Sequence, residues 1–132
     1  MKIKRIEHFA INTSNIKASI EFYRDVLGLE QMETIENGDN TITYFLLPGG
    51  ARLELFDYHG TNMAHERRDS DVGLKHIAFE VEDVDAHERE LRQKGVNITL
   101  ASAELEHLGA KVLLFTDPDG VILEFCEKLS SC

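Results

Sequence analysis

The 132-residue sequence has no tryptophan, two prolines and two cysteines. It also lacks any apolar run near the ~20 residues that a membrane-spanning helix needs. Cys126 and Cys132 cannot frame a disulfide scaffold, and their separation is not that of a zinc knuckle. The opening Met1-Lys2-Ile3-Lys4-Arg5 has no apolar core of the kind a secretion signal carries, so the expectation is a soluble, cytoplasmic protein. Bases are scarce too: Lys and Arg number 14 against 24 Asp and Glu, for a net charge of −10. Such a surface repels nucleic-acid phosphates and anionic headgroups, which excludes nucleic acid and membrane as expected partners. What is present is ordinary for a folded chain. A hydrophobic fraction of 42% argues against disorder. At this length roughly two-thirds of the unfolded surface can be buried.

The chain is written twice. Arg5-Ile6-Glu7-His8-Phe9-Ala10-Ile11 resembles Leu74-Lys75-His76-Ile77-Ala78-Phe79, each centred on a histidine within an apolar run. A helical pattern follows each copy. In the first, Asn15 or Ser14 can cap a helix with the stripe Ile16, Ile20, Tyr23, Val26 and Leu27, stopped by Gly28. In the second, Asp83 can cap a helix carrying Val84 and Leu91, stopped by Gly95. Three strands then follow in each half. The first set is Leu29 to Glu36, Thr41 to Leu47 and Ala51 to Asp57, with a tight turn at Asn37-Gly38. The second is Val96 to Leu100, Ala110 to Thr116 and Val121 to Glu127, with Asp117-Pro118-Asp119-Gly120 as its last turn. The expected fold is α+β: βαβββ modules over residues 1–57 and 73–132, joined by a polar linker or flap over 58–72. Paired, they would form a curved mixed sheet around a cleft.

Strand alternation sorts the side chains. Phe9/Ile11 and Ile77/Phe79/Val81 suit the helix-covered side, which leaves His8 and His76 on the opposite face. In the last strand of each half, Leu53/Leu55 and Val121/Leu123/Phe125 suit the helix side, which leaves Glu54 and Glu124 opposite. Glu124, between Ile122 and Cys126 on its own face, is the more apolar placement. A buried carboxylate there costs several kcal/mol unless a positive or hydrogen-bonding group compensates it. Two histidines and two glutamates at matching places form a candidate site for one divalent cation of the Ni, Zn, Co, Fe or Mn group. Plainer readings stand beside it: a strand histidine is commonly a core or surface residue, and Arg52 or Arg5 could neutralise a glutamate. His59, His65, His87 and His107 read as surface residues and Cys126 as a buried free thiol. Tyr58, His59, Arg67 and Arg68 suit a solvated linker or an anion-holding flap. Phe45, Phe56 and Phe115 suit either core packing or a pocket lining.

Taken together, Ile6 to Ile11, Ser19-Ile20-Glu21-Phe22-Tyr23-Arg24-Asp25-Val26-Leu27-Gly28-Leu29, Leu53-Glu54-Leu55, His76 to Phe79 and Asp117 to Phe125 resemble the vicinal oxygen chelate superfamily. That group includes glyoxalase I, epimerases, extradiol dioxygenases, fosfomycin-resistance proteins and bleomycin-binding proteins. The resemblance implies one divalent metal ion held by His8, Glu54, His76 and Glu124, the pattern of glyoxalase I. It implies a lyase or isomerase that moves a proton on a small α-hydroxycarbonyl or hemithioacetal substrate through an enediolate. Glu124 would be the base, with Glu54 as its counterpart. A metal-dependent dioxygenase and a resistance-type binding protein without turnover are the alternatives within the group. Glutathione-using glyoxalases carry arginine four residues after the first ligand and asparagine four after the second; this chain has Asn12 and Tyr58. Asn12 cannot reproduce an arginine–carboxylate ion pair, so a different thiol carrier or substrate is expected. Members of this size commonly build the site across two chains, and a homodimer is expected accordingly.

Overall fold

The computed structural model describes residues 1–129, so Cys132 lies outside the described residues. The chain divides into two compact units, Met1–His65 and a second from Glu66 onward. Each is a four-stranded mixed sheet with little helix, an α+β architecture.

In the first unit β1 (His8–Thr13) lies parallel to β4 (Arg52–Asp57). Antiparallel pairings to β3 (Asn40–Leu46) and β2 (Glu30–Asn37) complete the order β1-β4-β3-β2. The expected helix begins at Asn15, whose side chain accepts from the Ala18 N–H and caps α1 (Ile16–Ile20). It then widens into a π-helical stretch, Glu21–Val26, where Leu27 N–H donates to the Phe22 carbonyl five residues back. The wider turn rotates the buried stripe. Ser19, Phe22 and Tyr23 are buried, whereas Ile20 and Val26, both in the stripe a regular helix predicts, are only half-buried. Gly28, at φ 74°, ends the segment in a left-handed conformation open to glycine at low cost. Tyr23 packs against Phe45 at a ring separation of 6.2 Å. Thr13 Oγ1 and Ser19 Oγ, both buried, hydrogen-bond at 2.6 Å. Leu53 and Leu55 fill the helix-covered side of β4, as alternation predicts. Leu55 is 0% exposed, so Leu55→Ala should destabilise the protein by ~2–5 kcal/mol in denaturant unfolding, with the midpoint falling and the slope unchanged.

The second unit repeats the plan. β5 (Ile77–Glu80) runs parallel to β8 (Ile122–Lys128), followed by β7 (Ala110–Thr116) and β6 (Ile98–Leu105). Asp83 caps α2 (Val84–Gln93) by accepting from the Ala86 N–H, and Val84 and Leu91 are its buried residues. The core is Leu113, Phe115, Leu123 and Phe125, with Phe115 and Phe125 edge-on at 4.8 Å. The turn at Asp117-Pro118-Asp119-Gly120 closes around buried Asp117, whose carboxylate accepts from the Asp119 and Val121 N–H groups at 2.9 Å. β6 runs five residues beyond the expected end at Leu100, because two register shifts let it bend and keep pairing with β7. Among the described residues, no helix is long and apolar enough to cross a membrane.

Candidate metal centre

The parallel pairing of first and last strand in each unit positions the site residues. In the first, Ala10 stands opposite Glu54 and His8 opposite Arg52, so His8 lies one pleat away from Glu54 on the same face. Ala10 has only a methyl group and leaves room for the imidazole to lean over. His8 Nδ1 is 3.3 Å from Glu54 Oε2. In the second unit Ala78 stands opposite Glu124, and His76, just before β5, places Nε2 at 3.2 Å from Glu124 Oε1. The duplicated sequence thus becomes a duplicated His–Ala–Glu arrangement, with each sequence-predicted pair brought together inside its own unit.

The settings of the two carboxylates differ from expectation. Glu124 is flanked across the sheet by Ala78 and Leu114, yet its side chain is 16% exposed. Glu54, opposite Tyr44 on β3, is the more buried at 8%. Burial therefore falls on the carboxylate that the sequence reading ranked second. Neither arginine makes a direct contact with it, although the Arg52 charge acts on it from a distance. Arg52 Nη2 donates to Glu7 Oε1 at 3.1 Å, its guanidinium lies 4.7 Å from the Tyr44 ring centre, and Arg5 reaches the other Glu7 oxygen at 3.9 Å. Among the described residues no hydrogen bond to the Glu54 carboxylate forms, and the His8 imidazole is its nearest polar side chain, at 3.3 Å.

Glu7 is the residue that sequence reasoning missed. Simple alternation sends it to the helix side, but its carboxylate reaches the His8 Nδ1 at 3.0 Å. The His8 hydrogen bond and the Arg52 guanidinium hold its carboxyl below the usual carboxylate range. Ligand atoms of Glu7, His8 and Glu54 all lie within 4.8 Å of one another, a spacing compatible with a shared cation. A nine-tenths-buried carboxylate without a donor, beside an imidazole, is the chemical setting a divalent cation satisfies. In the second unit the pair His76 and Glu124 offers one imidazole nitrogen and one carboxylate oxygen.

The remaining candidates fall elsewhere. Phe45 and Phe115 are fully buried core residues, whereas Phe56 shares the β4 face of Glu54 and lies 6.4 Å from the Tyr58 ring. His59, His65 and His107 are exposed, and His87 packs on Phe125 at 5.2 Å. Arg67 donates to the Leu74 carbonyl and Arg68 pairs with Asp71 at 3.6 Å, which ties both to their own segment. Cys126 is a half-buried free thiol on the Glu124 face.

Two βαβββ units, each pairing a histidine at the start of its first strand with a glutamate in its last, define a duplicated α+β protein. A family model described as the Glyoxalase/Bleomycin resistance protein/Dioxygenase superfamily matches residues 5–125, and the chain belongs to that superfamily. It is 32% identical over 129 residues to a lactoylglutathione lyase of Neisseria meningitidis serogroup B, covering 96% of this chain and 92% of that one. It is 36% identical over 124 residues to metallothiol transferase FosB of Staphylococcus haemolyticus, covering 92% and 82%. Among solved structures, a glyoxalase family protein from Enterococcus faecalis superposes with a TM-score of 0.83 at 30% identity, covering 96% of this chain and 100% of that chain.

Proposed function

We propose that the protein is a metal-dependent lyase or isomerase of the glyoxalase I type, with His8, Glu54, His76 and Glu124 as metal ligands. The observation that carries this reading is the recurrence of one His–Glu contact, 3.3 Å in one unit and 3.2 Å in the other, at equivalent strand positions. A random surface pair has no reason to recur at both copies of a repeat. When bound, a divalent ion of the Zn, Ni, Co, Fe or Mn group supplies Lewis-acid stabilisation of negative charge on adjacent substrate oxygens. Glu124 is assigned as the base. It takes a proton from the carbon of a small α-hydroxycarbonyl or hemithioacetal substrate and returns it to the neighbouring carbon, so atoms balance without an oxidant. Its partial exposure favours it over Glu54, which is held deeper and is assigned mainly to ligation. His8 and His76 act as neutral ligands. Asn12, exposed on β1, and Tyr58, just after β4, stand where glutathione-using members carry arginine and asparagine, so the thiol carrier is assigned to be other than glutathione. The working unit is taken to be a homodimer.

Native purification with elemental analysis, then a screen of α-ketoaldehydes with glutathione and other thiols, tests this. Expected are one divalent metal per active site, turnover with a thiol other than glutathione, and loss of turnover on chelation that metal restores. Chelator-resistant turnover, or none with any thiol and metal, would refute it. The 36% identity to a metallothiol transferase favours a second reading, addition of a thiol to an electrophilic substrate. In the same screen, a thioether product in place of a 2-hydroxy thioester would select it.

A further inference from the structure

We propose that the segment before β1, residues 2–6, lies as an added strand along the open edge of β2 in a second copy of the chain. This contact is independent of the metal reading and supplies a surface for the homodimer taken above.

β2 closes one side of the first sheet, with β3 as its one neighbour, and all eight of its residues are exposed. Alternate backbone N–H and C=O groups of such an edge point outward and can pair with another chain. The strand carries Glu30, Glu33 and Glu36 without any base, and Met32 and Ile35 are 38% and 45% exposed. Two copies of β2 laid antiparallel would set glutamate against glutamate, which is unfavourable. The occupant that suits this edge is extended, basic and partly apolar.

Residues 2–6, Lys-Ile-Lys-Arg-Ile, have that chemistry and form no regular structure, with Ile3 83% and Ile6 62% exposed. Arg5 comes only within 3.9 Å of Glu7. Among the described residues no ion pair holds Lys2, Lys4, Glu33 or Glu36. One antiparallel register sets Lys2 opposite Glu36, Ile3 opposite Ile35, Arg5 opposite Glu33 and Ile6 opposite Met32. It joins two pairs of opposite charges and two apolar pairs, the cross-strand combinations that stabilise a sheet. Parallel registers that match Lys2 and Arg5 with glutamates set Ile3 against Gln31 or Thr34 instead. The occupant must come from another molecule. β1 is at the far edge of the sheet, and Glu7 is held there by the Arg52 N–H, which donates to its carbonyl at 3.0 Å. The free side of β2 is four strand spacings away, about 19 Å. Ile6 is bonded to Glu7, with Cα atoms ~3.8 Å apart, so it cannot reach Met32 of its own chain. In a strand addition of this kind main-chain hydrogen bonds supply affinity, and the side chains select the register.

Analytical ultracentrifugation of the full chain tests the contact. The parent should dimerise, with a dissociation constant that rises as salt screens the charge pairs. Arg5→Glu and Glu33→Arg should each weaken the dimer about 10-fold by opposing like charges, and the two together should return to within about threefold of the parent. Ile3→Pro should weaken it by about 10-fold or more, because proline removes a main-chain donor from the added strand. Lys17→Glu, which changes an exposed base outside the segment, should leave it unchanged. The substituted residues are exposed, and circular dichroism should confirm folding in each variant. A dimer that all these variants preserve within twofold would overturn this contact and leave the homodimer standing. Single reversals that weaken the dimer without recovery in the combination would overturn the register and the proposal with it. A parent that stays monomeric to ~100 μM would overturn both the contact and the homodimer. Metal content and turnover enter none of these outcomes.

Discussion

Natively purified His76→Ala should retain at most a trace of the divalent metal expected in the parent chain. The side chain places Nε2 at 3.2 Å from Glu124 and is about three-quarters buried, so solvent cannot simply substitute for it. Alanine leaves the Glu124 carboxylate without its imidazole neighbour and removes a nitrogen donor, the component that favours transition metals over calcium or magnesium. The expected loss exceeds the roughly 10- to 100-fold that removing an outer-shell partner costs. Elemental analysis after dialysis is the direct readout. Stoichiometric metal in this variant would remove His76 from the ligand set.

Glu124→Gln is expected to cut kcat/KM by about 10²–10⁴-fold, the usual contribution of a positioned general base. The replacement is nearly isosteric and sits in the middle of β8 between Ala78 and Leu114, so the sheet should tolerate it. A carboxamide cannot accept the substrate proton, whatever else it preserves. Separating the two roles assigned to this residue requires measuring metal content in the same preparation. Full metal with lost turnover assigns the base. Undiminished turnover would transfer that role away from Glu124, with Glu54→Gln the next variant to examine. Solvent deuterium exchange at the substrate carbon provides an independent check on proton transfer.

Much of this arrangement was legible because it follows from local periodicity. A strand has a period of two, so Phe9 and Ile11 on one side place His8 and Ala10 on the other regardless of distant contacts. The same rule separates Leu53 and Leu55 from Glu54, and Leu123 and Phe125 from Glu124. Capping by Asn15 and Asp83 was similarly readable, since a side-chain oxygen at that position satisfies an otherwise orphaned helix N–H. The π-helical stretch was not. Its hydrogen bonds reach one residue further than those of an α-helix, and no residue between Glu21 and Val26 announces the change. The extension of β6 past Leu100 was hidden too, because its bulges break the alternation by which a strand is recognised.

The amino-acid order by itself determined a duplicated α+β chain, the strands that carry its two histidines and two glutamates, and the faces those residues occupy. These follow from backbone periodicity and repetition along the chain. Only the tertiary structure decided that Glu54 is buried more deeply than Glu124 and that Arg52 serves Glu7 instead of Glu54. It also decided that the two imidazoles turn different nitrogens toward their glutamates. Those outcomes depend on which long side chains compete for the same few ångströms across neighbouring strands. That competition is settled by packing and hydrogen-bond geometry between residues distant in the chain, and no local pattern encodes it.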